Sequence, residues 1–342
     1  NPEEMLLKDW KPKSIYNVPV TNIQKARFPV IDMHAHNYTR SAEDVAKRLQ
    51  IMDEVGLDRS VVFTNATGAR FDSVYTLYSK YPDRFDVYCG FDLSGYQEKG
   101  WSERAVSELR RCVKKGAVGI GELHDKGGGL TKGLHPDDPR MDPLFEVCAE
   151  LKIPVNIHVS DPIWMYEAMD SSNDGLMRSW TWRIKDMNQM LDHNELMLAL
   201  ANTAKRHPNT TFVASHLANC TFDLSILGKM LDENPNLYAD ISARFSEFST
   251  VPRYTAAFFE KYQGRLVYGT DYGWEVWDKH SDYGNNTSLD SMYRMTFRVL
   301  ETLDEHFYLT DLLGYKWPLY GLGLSDSVLK KIYRDNALKI RK

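Results

Sequence analysis

The sequence predicts an α/β fold, a (β/α)8 TIM barrel, on three observations. Eight short apolar, β-branched runs recur near 28–35, 60–64, 85–93, 117–123, 153–159, 210–217, 237–243 and 265–271. Each is close to continuously apolar rather than alternating, as parallel strands covered on both faces are. Amphipathic helical stretches separate them, and strand–helix alternation of that length closes a parallel sheet into a barrel. An open doubly wound sheet would want a glycine-rich phosphate turn after its first strand. That position holds His34-Ala35-His36-Asn37 instead.

Residues 1–27 are polar with scattered prolines and read as an N-terminal extension. No boundary interrupts 28–342, which reads as one barrel domain. Ser41-Ala42-Glu43-Asp44 opens a helix like a capping box, and Gly56 stops it. Ser102 opens a second amphipathic stretch, which ends at Gly116. Met141 to Lys152, Glu195 to Arg206, Phe222 to Glu233 and Tyr254 to Tyr262 read as further helices. Ser325 starts the last, through Leu329, Ile332, Tyr333 and Leu338.

A barrel needs about 250 residues, so this chain carries additions. The largest fall at 161–194, after the fifth strand, and at 274–320, after the eighth. They hold Trp164, Trp180, Trp182, Trp274, Trp277 and Trp317. Both follow strand C-termini and should overhang the catalytic face as a lid and pocket wall, with Trp164 and Trp274 against the substrate. The alternative is that they pack a dimer interface. A homodimer is the expected assembly.

Of 342 residues, 43% are hydrophobic and 26% charged, an ordinary globular composition. A net charge of −5 gives no case for nucleic acid or an anionic membrane surface. No apolar run approaches the ~18 residues of a membrane helix. Cys89, Cys112, Cys148 and Cys220 form no CxxC and sit in apolar segments, so buried free thiols are expected. The chain starts at Asn1, not Met, so an export signal could have been trimmed and the compartment stays open.

In such barrels the active site collects at the C-terminal ends of the strands. The first run is Val30-Ile31-Asp32-Met33-His34-Ala35-His36. Residues i and i+2 of a strand share a face, so His34 and His36 aim at one point and suit a divalent metal. The fourth run ends in Glu122, the fifth in His158, the sixth in His216 and the eighth in Asp271. Polar groups so placed are costly unless paired or metal-bound. Singly, a histidine there is more often a core or capping residue, and an Asp before Tyr-Gly a turn residue. The signal is their coincidence at equivalent positions on one scaffold.

With these motifs on the page, the sequence resembles the amidohydrolase superfamily. Its closest likeness is the amidohydrolase-related branch that contains aminocarboxymuconate-semialdehyde decarboxylase and several lactonases. Val30–His36, Pro154–His158, Thr211–His216, Leu266–Asp271 and Lys331–Ala337 carry the resemblance, which covers about residues 28–342. It implies that His34, His36 and His158 hold Zn²⁺ or a similar ion; the same donors suit Mn²⁺, Fe²⁺ or Co²⁺. It implies that Asp271 is both ligand and proton shuttle. His216 would sit beside the metal, holding the attacking water or polarising the substrate carbonyl.

The expected activity is hydrolysis of an amide, ester or lactone of a small, carboxylated substrate through metal-activated water. The runner-up is non-oxidative decarboxylation, a lyase reaction in which His216 and Asp271 manage protonation at carbon. A third reading is a non-catalytic barrel that binds a ligand through its aromatic loops. Glu122 resembles the strand-4 glutamate that bridges two metals in TatD-like deoxyribonucleases, which would add a second metal. It could instead bind substrate or hydrogen-bond the neighbouring glycine-rich turn. Arg244, after the seventh run, could clamp a substrate carboxylate or pair with a loop acid. His124 could share the face of Glu122 or be a solvated loop residue. His207 falls at the bottom of the barrel, and His135, His193, His280 and His306 read as surface.

Overall fold

A computed structural model describes residues 1–177, 183–184, 186–273, 288–309 and 316–341. Each predicted run contains or overlaps a strand: β1 (Val30–Asp32), β2 (Leu57–Phe63), β3 (Phe85–Tyr88), β4 (Ile120–Asp125), β5 (Val155–Val159), β6 (Phe212–Ala214), β7 (Leu237–Asp240) and β8 (Leu266–Val267). They pair in parallel and in sequence order, β1 to β3 in one sheet and β4 to β8 in another. Single parallel bridges join the sheets, Cys89 with Ile120 and Ala35 with Tyr272. Backbone bonds reinforce both seams, Val118 N to Val87 O at 3.1 Å and Met33 N to Tyr268 O at 2.9 Å. The architecture is a TIM barrel.

Two apolar layers follow from the strands' two faces. Ile31, Met33, Val61, Phe63, Tyr88, Val213 and Val267 meet across the barrel interior, where Ala337 and Ile340 of the C-terminal helix join them. A larger cluster lies between strands and helices. The helices are α1 (Ala42–Val55), α2 (Gly68–Tyr78), α3 (Trp101–Lys115), α4 (Asp142–Leu151), α5 (His193–Arg206), α6 (Leu224–Glu233), α7 (Phe245–Phe248), α8 (Pro252–Lys261), α9 (Leu289–Glu301), α10 (Asp326–Lys330) and α11 (Asn336–Ile340). One π-helical turn, Lys331–Asp335, joins the last two.

The predicted start and stop of α1 hold. Ser41 Oγ accepts from Asp44 N at 3.2 Å, the Asp44 carboxylate accepts from Ser41 N, and Gly56 ends the helix at φ +89°. The start of α3 differs: Gly100, not Ser102, caps it. Three helices were not expected: α2, the short α7, and α9, which lies inside the stretch read as a second addition and packs against α1 as the barrel's eighth helix. Leu289, Met292, Tyr293, Phe297, Val299 and Leu300 are all buried there. Asp290, Arg294 and Arg298 line its outer face at helical spacing.

All four cysteines are free and buried, as expected. Thr21 in the N-terminal segment donates to Asp304, and Arg27 pairs with Glu301 and Asp326. Among the described residues no helix is long and apolar enough to cross a membrane. Ile157 of β5 is fully buried against the helical layer. Ile157→Ala should therefore cost about 2–5 kcal/mol, measured as a lowered urea midpoint; a midpoint equal to wild type would contradict this packing.

Candidate metal centre

Glu122 is the residue on which the strand ends converge. It lies on β4, two residues before His124, so both side chains share a face. Its buried carboxylate has five histidines around it. Oε1 lies 3.4 Å from His34 Nε2, 3.2 Å from His158 Nδ1 and 3.5 Å from His216 Nε2. Oε2 lies 2.6 Å from His124 Nε2 and 3.7 Å from His36 Nε2. Asp271 closes the other side, its Oδ1 3.2 Å from His34 Nε2 and 3.0 Å from His36 Nε2. The regular part of β1 stops at Asp32, so His34 and His36 lie just past it. Ala35 and His36 resume pairing, with Tyr272 and Phe63. Any side chain at Gly269 would put its Cβ 2.7 Å from that of His34.

A layer of polar groups aims the ring nitrogens. Asp240, at the end of β7, is fully buried and accepts from His34 Nδ1 at 2.8 Å. Its other oxygen accepts from His216 N and Ser242 N, each at 3.0 Å. His216 Nδ1 lies 3.1 Å from the Ser242 carbonyl, an acceptor only, so Nδ1 carries the proton and Nε2 the lone pair. Asn65, at a left-handed φ of +49°, accepts from Glu122 N at 2.6 Å. Asp32 ties the ends of β1 and β8 together: its carboxylate accepts from His34 N, Thr270 N, Thr270 Oγ1 and Tyr293 Oη. Asp240, Ser242, Asn65 and Asp32 were not picked from the sequence, although Asp32 ends β1 and Asp240 ends β7.

These partners split the histidines by charge. Burial favours neutral His34, but Asp240 and Glu122 outweigh it and hold the pKa well above the ordinary histidine value. His158 is likewise raised against burial by Glu122 and Asp161. For His216 burial outweighs the pull of Asp271 and pushes it down to about 3. Burial would raise Glu122 and Asp271. The histidines outweigh that and keep both carboxyls well below the usual range, His34, His124 and His158 for Glu122, and His216, His34 and His36 for Asp271. Asp240 is held at about 2, against burial, mainly by His34.

The donor set fits a cation. His34 Nε2, Glu122 Oε1 and His158 Nδ1 are buried without a hydrogen-bond partner, the two nitrogens 3.4 and 3.2 Å from the one oxygen. Leaving each unpaired costs about 1–3 kcal/mol, and a divalent ion would satisfy them together. One donor atom each from His34, Glu122, His216 and Asp271 falls within 4.8 Å of the others; Glu122, His124 and His158 form a second such group. His36 and His158, expected as ligands, border the first group through Asp271 and Glu122. Backbone at the strand ends is unusual too. Ser160, His216 through Asn219, Ala243 and Asp271 all have φ between +52° and +65°, costing of order 1–3 kcal/mol each.

Arg244 is buried past β7, its guanidinium on Asn219 Oδ1, 3.7 Å from Glu247 and 4.0 Å from Asp161. Trp164 is buried in a short turn after β5, with Gly175 packed flat on its indole. Trp274, Trp180, Trp182, Trp277 and His280 lie outside the described residues. His193 corrects the surface reading: it is 1% exposed at the start of α5, with Nε2 3.2 Å from Asn219 O. Its partner comes from the turn after β6, a contact that spacing along α5 could not reveal. His135 bonds the buried Asp125 at 2.7 Å. His207 is buried against Asp142.

The profile of the family described as amidohydrolase matches residues 20–340. Among solved structures the chain is similar to an uncharacterized TIM-barrel protein from Bordetella bronchiseptica, with TM-score 0.57 and 14% identity over 92% of this chain and 98% of that one. It is similar to 4-oxalomesaconate hydratase, LigJ, from Rhodopseudomonas palustris, with TM-score 0.54 and 16% identity over 91% and 95%. It is also similar to an amidohydrolase from Burkholderia multivorans with bound zinc, with TM-score 0.53 and 13% identity over 91% and 98%. At such identities the likeness shows the fold. No curated protein matches the sequence.

Because His34 and His158 hold protons above the ordinary histidine range, a divalent ion must displace them. Apparent affinity should weaken as pH falls through neutrality, by about tenfold per unit for each proton displaced. Calorimetric titration with Zn²⁺ at several pH values reads this; a flat profile would contradict the proposed centre.

Proposed function

The chain belongs to the amidohydrolase family, and from that premise we propose that it hydrolyses an amide, ester or lactone bond of a small molecule at the Glu122 centre. Membership makes it a metal-dependent enzyme of that superfamily, a hydrolase or a lyase. The observation that carries the finer reading is the convergence of unpartnered His34 Nε2, Glu122 Oε1 and His158 Nδ1 beside an ionised, part-exposed Asp271. His34, Glu122, His158 and Asp271 would hold the ion, with His36 and His216 beside them. The zinc in the Burkholderia multivorans structure makes zinc the first ion to test.

When bound, a divalent cation there would lower the pKa of a water toward ~7 and polarise a carbonyl oxygen. The chain's own groups do the rest. Asp271 is a carboxylate at neutral pH, so it can take a proton from water and return it to the leaving group. His216 is neutral with its Nε2 lone pair facing Glu122 and Asp271, so it acts as an acceptor and holds the water's hydrogen. That favours water-holding over carbonyl-polarising for this residue, since a carbonyl oxygen needs a donor. Glu122, ionised and buried, supplies negative charge that keeps a cation in place.

The test is product analysis with metal-loaded protein on a panel of amides, esters, lactones and carboxylic acids. Ring opening or acyl cleavage that a chelator abolishes is the expected result. Chelator-sensitive CO₂ release without hydrolysis would place the chain with the lyases instead. Asp271→Asn should lower kcat by about 10²–10⁴-fold with the fold retained; undiminished turnover would remove Asp271 from the reaction.

A further inference from the structure

Asp161 lies three residues beyond His158, past the end of β5, and is 1% exposed. The sequence reading gave it no role. Its Oδ1 is 3.3 Å from His158 Nε2 and its Oδ2 2.8 Å from Lys126 Nζ; Arg244 Nη2 lies 4.0 Å away. His158 therefore has a carboxylate at each ring nitrogen, Asp161 at Nε2 and Glu122 at Nδ1. A neutral imidazole carries one N–H, and only the nitrogen without it can bind a cation. Whichever carboxylate takes the N–H decides which nitrogen is left.

Two neighbouring histidines, His34 and His216, meet this requirement through partners behind their Nδ1 atoms. His34 has Asp240, and His216 has Ser242. We propose that Asp161 is the corresponding positioning residue for His158: it accepts a hydrogen bond from Nε2–H, fixes the ring, and turns the Nδ1 lone pair toward Glu122, and so sets the affinity of the centre for a divalent cation. Lys126, foremost, keeps Asp161 ionised against the burial that would neutralise it. Carboxylates behind metal-binding histidines act this way in general, and losing one typically costs 10–100-fold in metal affinity. The inference rests on the metal-centre reading proposed above.

The experiment compares wild type, Asp161→Ala, Asp161→Asn, His158→Ala and the Asp161→Ala/His158→Ala double variant. Zn²⁺ dissociation constants are measured by chelator competition, and the visible spectrum is recorded after Co²⁺ loading. Asp161→Ala should weaken Zn²⁺ about 10–100-fold and shift the Co²⁺ bands. Asp161→Asn, which keeps an acceptor oxygen, should lose less. In the His158→Ala background the same Asp161→Ala change should matter by no more than about twofold, because the two residues act through one contact. Should circular dichroism show Asp161→Ala unfolded, Asp161→Asn with and without His158 answers the same question. Wild-type affinity and spectrum in the folded Asp161 variants would overturn the proposal. So would an Asp161 effect of equal size whether or not His158 is present. A wild type that takes up no divalent ion is a different result: it overturns the centre itself, and this inference with it.

Discussion

A carboxylate buried among histidines is the constraint on which the rest of this structure turns. Glu122 is 5% exposed, with imidazole nitrogens on every side at 2.6 to 3.7 Å. An unpaired charge in such a place would be prohibitive, and removing one member of a buried pair is far worse than never having built it. The surroundings must therefore supply positive charge, from protonated rings or from a cation. Raised His34 and His158 are the first solution, and orphaned nitrogens pointing at Glu122 Oε1 show how the second would be accommodated. Protons and metal compete for the same lone pairs.

That constraint reaches back into the barrel. Each contributing side chain arrives from a different strand end, and the chain must turn abruptly to deliver it. His216 to Asn219 run through consecutive left-handed residues, and Asp271 and Ala243 do the same after β8 and β7. Such backbone is unfavourable for residues with a Cβ and persists only where surrounding structure over-determines it. The over-determination is visible: Asp32 clamps the ends of β1 and β8, while Asp240 holds β7, β6 and the His34 ring with one carboxylate. Below them the apolar interior plugged by Ala337 and Ile340 supplies the stability that offsets the strain above.

The barrel was legible because its strands are doubly covered and so apolar throughout, with all eight lying inside the predicted runs or overlapping them. Chemistry-bearing strand ends stood out for the converse reason, as a polar residue at the edge of each apolar run. Asp240 ends β7 inside the seventh run, yet nothing in that run singled it out. Its importance lies in what it touches, residues 24 and 206 positions away. Asn65 and Asp161 are hidden likewise, since Asx residues in loops serve mostly as turns. Helix α9 was lost for another reason: it carries a polar stripe at Asp290, Arg294 and Arg298, but its tryptophan-rich neighbourhood read as a lid.

Two histidines with nearly the same burial end up with opposite character, and the reason is only what stands behind each ring. His34 and His216 are 4.8 Å apart by ring centroid, and both have an Nε2 facing Glu122. Behind His34 is a carboxylate, which stabilises the imidazolium. Behind His216 are a carbonyl and a hydroxyl, neutral acceptors that fix the tautomer without adding charge. Burial then decides the matter for His216 and leaves it neutral. Pairs of titratable groups driven apart by their environments are how one site holds an acceptor and a charged group at a single pH. Ser242 bridges the two halves: its backbone N–H bonds Asp240, and its hydroxyl lies within reach of both rings. That asymmetry leaves His216 a bare Nε2 that can accept a hydrogen bond, where a charged His34 can only donate.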